Sequence, residues 1–324
     1  MKDKIRWGII GCGDVTEVKS GPGFQKAEGS ELLAVMRRNG DLAKDYADRH
    51  GVLKWYDDAE RLINDPDVDA VYVATPPSSH MEYTLAAAKA GKPVYVEKPM
   101  AMNYDQCKKM DEACGKAGVK LFVAYYRRGL PRFTKVKSLI DDGAIGEIRY
   151  VNTRLYEPPQ TKEKYDDNNW RVDPDTAGCG YFCDLGSHMI DLIQYFAGNI
   201  KKAAGFSSNQ GKEYKAEDTV SASFIFDSGA QGTGSWCFNS AGEIDKTEII
   251  GTKGSITYSN FTEEAVILKA GGRIEEFVIP HPQHVQQPLI QSVVNELLGK
   301  GRSPSTGITA LMTARIMDEI LGRI

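Results

Sequence analysis

Ile5-Arg6-Trp7-Gly8-Ile9-Ile10-Gly11-Cys12-Gly13-Asp14-Val15-Thr16 is an apolar run that ends directly in a glycine-spaced turn. Residues 5–10 have the length and side chains of a buried strand. The G-x-G after it permits a tight turn in which backbone amides approach a pyrophosphate at the positive end of the next helix. A lone G-x-G is weak evidence, and glycines after any strand can simply make a turn; its value comes from standing at the end of the first strand of a strand–helix–strand pattern. That pattern continues outward. Further strands are predicted at 31–36, 69–74, 93–97 and 119–124, with helical spacing over 40–51, 57–64, 78–90 and 103–117. Five strands with crossover helices make a doubly wound α/β unit, a Rossmann-type dinucleotide-binding domain assigned to residues 1–126. Gly21-Pro22-Gly23 interrupts the first crossover, which predicts a short or broken helix there.

After Tyr126 the pattern changes. Runs at 220–226, 232–238, 255–258 and 273–279 alternate or are β-rich, and helices are predicted at 184–196, 284–299 and 306–321. Residues 127–324 are therefore read as an α+β domain with a largely antiparallel sheet. A chain of 324 residues suits two such domains, given about 150 residues for each. Forty basic against 44 acidic side chains give a net charge of -4, which leaves no basic surplus for nucleic acid. No apolar run approaches the roughly 20 residues of a membrane helix, and the charged start lacks the apolar core of a secretory signal, so cytoplasmic residence is expected. None of the six cysteines, at 12, 107, 114, 179, 183 and 237, sits in a C-x-x-C pair. Buried reduced thiols are expected, and no metal site.

The candidate cofactor residues fall at predicted strand ends. Gly11, Gly13, Asp14 and Val15 form the pyrophosphate turn, with Thr16 where a third glycine commonly stands. The second strand ends in Arg37-Arg38-Asn39, without the acid that accepts from the ribose 2′-hydroxyl of NAD. Two guanidiniums there suit a 2′-phosphate, so NADP is favoured and NAD remains possible; a plain basic strand end is the alternative. Thr75, Pro76 and His80 are placed beside the ribose and nicotinamide, although helix capping by Ser78 and Ser79 explains part of that segment equally well.

Glu97-Lys98-Pro99 closes another predicted strand, adds Glu97 and Lys98 to the candidate cofactor residues and puts an amine at the same rim. A lysine there can exchange a proton with a hydroxyl or carbonyl oxygen, the alternative being an ordinary solvated lysine. Asp184 and His188 stand four apart at a predicted helix start, hence on one face. They can orient a hydroxyl and move a proton, or merely cap and pack. Tyr126, Arg127, Trp170 and Arg171 offer aromatic faces and planar donors to a polyhydroxylated ligand, and Asp166-Asp167-Asn168-Asn169 adds polar groups in a long loop.

The G-x-G turn, Glu97-Lys98-Pro99, the glycine-rich Asp184-x-x-x-His188 motif and Gly301-Arg302-Ser303-Pro304, in this order, resemble the Gfo/Idh/MocA oxidoreductases over almost the whole chain. The resemblance implies a C-terminal domain with a large open sheet and hydride transfer between a nicotinamide and a sugar, polyol or related carbonyl compound. It implies Lys98 and His188 as proton-transfer residues, Asp184 as the group orienting substrate, and a homodimer or larger homo-oligomer packed through the open sheet. Arg37-Arg38 departs from the acid of many NAD-using members. A non-catalytic NADP(H)-binding regulator on the same fold is the alternative function, and a zinc-dependent alcohol dehydrogenase a third.

Overall fold

The computed structural model describes residues 3–159 and 169–324, which fold as two compact units. The first takes the chain up to Leu130 together with Pro282–Leu311; the second takes Pro131–His281 and the residues from Met312 onward. A single cut after residue 126 does not divide the chain this way, because the segment 282–311 joins the first unit.

Six parallel strands form the first unit's sheet: β1 Ile5–Ile10, β2 Ser30–Met36, β3 Lys54–Tyr56, β4 Ala70–Val73, β5 Val94–Val96 and β6 Leu121–Val123. Their order is β3-β2-β1-β4-β5-β6, the doubly wound arrangement, with the winding reversing between β1 and β4. All of β4 and β5 is buried, as a parallel sheet covered on both faces requires. β3 is the strand absent from the sequence reading: it is three residues long, at the sheet edge, with Trp55 exposed. The crossover helix Gly40–His50 starts where the Asn39 side chain accepts from the Leu42 N–H and ends at Gly51 in the left-handed conformation.

The first crossover is broken as expected, into Asp14–Val18 and Gly21–Lys26. Packing explains why glycine stands at the break: a Cβ on Gly21 would lie 2.2 Å from the Thr16 carbonyl oxygen, and one on Gly23 would lie 2.9 Å from Ile290 Cδ1. Ile290 belongs to the helix Gln287–Leu297, whose Leu289, Ile290, Val293 and Val294 are fully buried against the core containing Trp7, Phe24, Tyr72 and Tyr95. The rings of that core interlock, Trp7 with Phe24 at 4.8 Å, Phe24 with Tyr72 at 5.0 Å and Tyr72 with Tyr95 at 5.2 Å between centroids. This burial is the physical reason the segment 282–311 returns to the first unit. Periodicity shows that a helix face is buried, but not against which domain.

In the second unit eight strands form one sheet: β7 Ile148–Tyr156, β8 Ile200–Ser208, β9 Thr219–Phe226, β10 Gln231–Cys237, β11 Ile244–Gly251, β12 Gly254–Tyr258, β13 Val266–Ala270 and β14 Arg273–Phe277. The order is β14-β13-β12-β11-β7-β10-β9-β8, and every neighbouring pair is antiparallel except β7 with β10. Along β9, Val220, Ala222, Phe224 and Phe226 are buried while Ser221, Ser223 and Ile225 face outward, the signature of a sheet covered on one side. The helix Ser187–Ala197 is buried along most of its length, and its Gln194 Nε2 donates to Thr313 Oγ1 at 3.2 Å. No described helix is long and apolar enough to cross a membrane.

Candidate active site

The glycine turn at the end of β1 is forced by backbone and by space. Gly11 has φ +91°, which side-chain-bearing residues rarely adopt, and a Cβ there would stand 2.7 Å from Thr75 Cγ2. The ends of β1 and β4 therefore meet closely. Gly13 is open instead, with nothing nearer to an added Cβ than the Gly11 carbonyl oxygen at 3.9 Å, and it precedes Asp14 and Val15 of the short helix. That open backbone fits the pyrophosphate of a dinucleotide. Thr16, in the place of the third glycine, is buried and donates its hydroxyl to the Gly13 carbonyl at 2.7 Å, so it braces the turn. Burial pushes the neighbouring Cys12 thiol up to about 11, leaving it protonated and inert.

Arg37 and Arg38 follow β2 with both side chains exposed, and neither guanidinium has an ion-pair partner among the described residues. Asn39, the next polar group, is occupied in capping the following helix. Thr75 and Pro76 lie half-buried after β4, with Ser79 Oγ donating to Thr75 Oγ1 at 2.8 Å. His80, expected beside the ribose, is fully buried: its Nε2 lies 2.6 Å from the Thr75 carbonyl oxygen and its Nδ1 3.0 Å from that of Pro99. Burial lowers its pKa below the ordinary histidine value, against the carbonyls and Glu97, which favour the cation. Its ring ties the end of β4 to the chain following Lys98.

Lys98 is half-buried just after β5. Glu97, also assigned to the cofactor, is 7% exposed and engaged below the surface. Its Oε1 accepts from the Tyr72 hydroxyl at 2.5 Å and from Gln286 Nε2 at 2.7 Å, and its Oε2 accepts from the Lys98 main-chain N–H at 3.1 Å. Sequence reasoning missed Tyr72 and Gln286. A phenol inside the otherwise aliphatic run Ala70–Val73 was a signal for the first; nothing local marks the second. Arg127, expected at substrate, is buried, with its guanidinium 4.9 Å from the Tyr126 ring centroid and Nη1 donating to the Tyr126 hydroxyl at 3.1 Å.

In the second unit, Asp184 does not begin an α-helix as expected. It lies in a π-helical turn, Phe182–Gly186, that leads into the helix Ser187–Ala197 carrying His188. Such turns are frequent at functional sites. Gly186 makes this one possible, since a Cβ there would stand 2.6 Å from Phe182 Cδ2. Arg171 Nε lies 3.6 Å from Asp184 Oδ2, and its guanidinium sits 4.6 Å from the Trp170 ring centroid, so three of the expected substrate residues come together. Asn169 Nδ2 donates to the Tyr181 hydroxyl at 3.0 Å, linking the same turn to the segment before Asp184. His188 is buried, 6.3 Å edge-to-face from Phe261. Cys179 and Cys183, expected as reduced thiols, form a disulfide; their Cα atoms are 5.5 Å apart, within bridging reach. Among the described residues no group of three or more His, Cys, Asp and Glu is arranged to hold a metal. Asp166, Asp167 and Asn168 lie outside the described residues. A cavity of about 280 Å³ lined by Gln210, Glu213, Tyr214, Asp218, Phe238 and Asn239 includes none of the candidate residues.

A dinucleotide-type turn on a doubly wound parallel sheet is a feature of nucleotide-dependent oxidoreductases, and the second unit carries an acid, Asp184, beside Arg171. Residues 5–125 match the oxidoreductase family with an NAD-binding Rossmann fold, and residues 133–257 match the GFO/IDH/MocA C-terminal domain. The chain is 41% identical to oxidoreductase P35 of Formosa agariphila over 99% of this chain and all of that one. It is 30% identical to myo-inositol 2-dehydrogenase of Thermotoga maritima over 82% of this chain and 78% of that one. Among solved structures, aldose-aldose oxidoreductase from Caulobacter crescentus, complexed with glycerol, superposes with a TM-score of 0.87 at 27% identity over 98% of this chain and 96% of that one. The chain belongs to the Gfo/Idh/MocA family of oxidoreductases.

Proposed function

We propose that the protein is an NADP-preferring oxidoreductase that interconverts a hydroxyl and a carbonyl on a sugar or polyol. The observation that carries the cofactor preference is the pair of exposed guanidiniums, Arg37 and Arg38, without carboxylate partners at the carboxyl end of β2. They suit a 2′-phosphate, which an acid at that place would repel. Gly11, Gly13, Asp14 and Val15 would hold the pyrophosphate, and Thr75 and Pro76 the ribose side. When bound, the nicotinamide supplies or accepts the hydride.

The chain's own groups do the rest. Lys98 gives or takes the proton at the substrate oxygen, and His188 is the second group assigned to that exchange. Asp184 accepts a hydrogen bond from a substrate hydroxyl, while Trp170 offers an apolar face to the ring and Arg171 a planar donor. The myo-inositol and aldose of the relatives' names set the substrate class tested first. Copies of the chain would pack through the outward face of the second sheet, where Phe206 is 84% exposed, and light scattering tests that association.

The deciding experiment follows NADPH and NADH absorbance across aldoses, inositols and dicarbonyl compounds, with Lys98→Met and His188→Ala alongside. The reading expects turnover with NADPH preferred, and a drop of roughly a hundredfold or more in each variant. Unchanged turnover in both variants sinks the catalytic assignment. Nucleotide binding without turnover of any compound favours a regulatory role.

A further inference from the structure

We propose that Glu97 is a positioning residue for Lys98, held in place by Tyr72 from β4 and by Gln286 from the segment 282–311 that returns to the first unit. The proposal rests on the reading of Lys98 as the proton-exchanging amine. A carboxylate buried to 7% exposure ordinarily stands beside a cation. Glu97 is satisfied instead by the Tyr72 hydroxyl, the Gln286 amide and the main-chain N–H of Lys98 itself. The three donors come from three separate stretches of chain and engage both oxygens, which leaves the carboxylate no rotation that keeps all of them.

Lys98 thereby receives a fixed base. Glu97 grips its N–H from below, and His80 holds the carbonyl of Pro99 on the following peptide. The lysine side chain is long and flexible, so what the protein can fix is its point of origin, and a fixed origin narrows the volume the amine samples. Tyr72 and Gln286 are set in turn. The Tyr72 ring stacks on Tyr95 at 5.2 Å, and Gln286 Oε1 lies 3.5 Å from the Tyr95 hydroxyl, which turns the amide nitrogen toward Glu97. The neighbouring His284 reaches the Val18 carbonyl through Nδ1 at 2.7 Å and Lys26 Nζ through Nε2 at 2.8 Å. The returning segment is thus pinned to the first crossover two residues before it reaches Glu97.

Tyr72→Phe and Gln286→Leu each remove one donor without altering the surface, and if one fails to fold the other carries the test. The first readout needs no substrate: competitive acetylation with acetic anhydride, resolved lysine by lysine by mass spectrometry. Lys98 is expected to change its acetylation relative to the other lysines about threefold or more, with the rest of the profile constant. On a turned-over aldose or inositol, kcat falls about tenfold while the KM for NADPH stays within about twofold, as expected for a displaced group and not for lost binding. Unchanged Lys98 acetylation in the folded variants overturns the proposal. So does a loss confined to NADPH affinity, which would make Glu97 a cofactor ligand. Full turnover in Lys98→Met would instead overturn the reading of Lys98, independently of the acetylation result.

Discussion

At Lys98 the chain is held by buried groups on both sides, Glu97 on one and His80 on the other, whereas Asp184 stands on a five-residue π turn with an exposed arginine beside it. The Arg171 side chain is 44% exposed and its approach to Asp184 is 3.6 Å, longer than a good hydrogen bond. Hydrogen bonds under Lys98 act in a low dielectric, where making them counts and losing them is costly. The pair at Asp184 is screened by water and adds little to stability. The surroundings of Lys98 are built to stay, whereas those of Asp184 have room to change partners.

The largest effect is expected from Glu97→Leu. It leaves the Gln286 amide buried without this acceptor, at about 1–3 kcal/mol, and the Tyr72 hydroxyl with Ser20 Oγ at 3.2 Å as its remaining partner. Thermal unfolding should show a drop of several degrees. Arg171→Ala is the matching test on the other side, with a stability change of about 1 kcal/mol or less. If it lowers the melting temperature as much as Glu97→Leu, the contrast between the two regions is wrong.

His80 sharpens the comparison through pH. Its pKa lies below the ordinary 6.5 in the fold, so the unfolded chain binds the proton more readily. The stability this buried neutral ring contributes is complete above 6.5 and falls as pH drops through the lowered folded value. Melting temperatures between pH 7 and 5 should fall less steeply in His80→Gln than in the parent. The smallest effect belongs to a surface tie in the same unit. Arg49 hydrogen bonds hold the Glu17 carboxyl down at about 2, so its contribution is present above the ordinary carboxylate range and lost only as pH falls toward 2. Glu17→Gln should lower stability slightly at neutral pH and flatten the acid limb, so that parent and variant converge as pH falls toward 2, as urea titrations at pH 3 and 7 would show.

What could be read from sequence tracks how local each feature is. The turn at Gly11 and Gly13, the break at Gly21-Pro22-Gly23 and the motif from Asp184 to His188 are carried by adjacent residues, and each was legible. The π turn was not, because the spacing of Asp184 and His188 reads the same in an α-helix, and the Phe182 ring that leaves no room for a Cβ at Gly186 is placed only in the fold. Strand β3 was too short and too exposed to show a period. His80 was placed beside the cofactor from its position after β4, but the carbonyls of Thr75 and Pro99 that enclose it come together only in the fold. The partnership of Glu97 with Gln286 spans 189 positions, which no local pattern records.

The returning segment also sets an order of events during synthesis. A ribosome releases Trp7, Phe24, Tyr72 and Tyr95 early, but the helix Gln287–Leu297 that covers them emerges only after Pro131–His281 of the second unit has been made. The nucleotide-binding half, first in the chain, is therefore among the last parts to close, and a nascent chain carries its aromatic core uncovered until then.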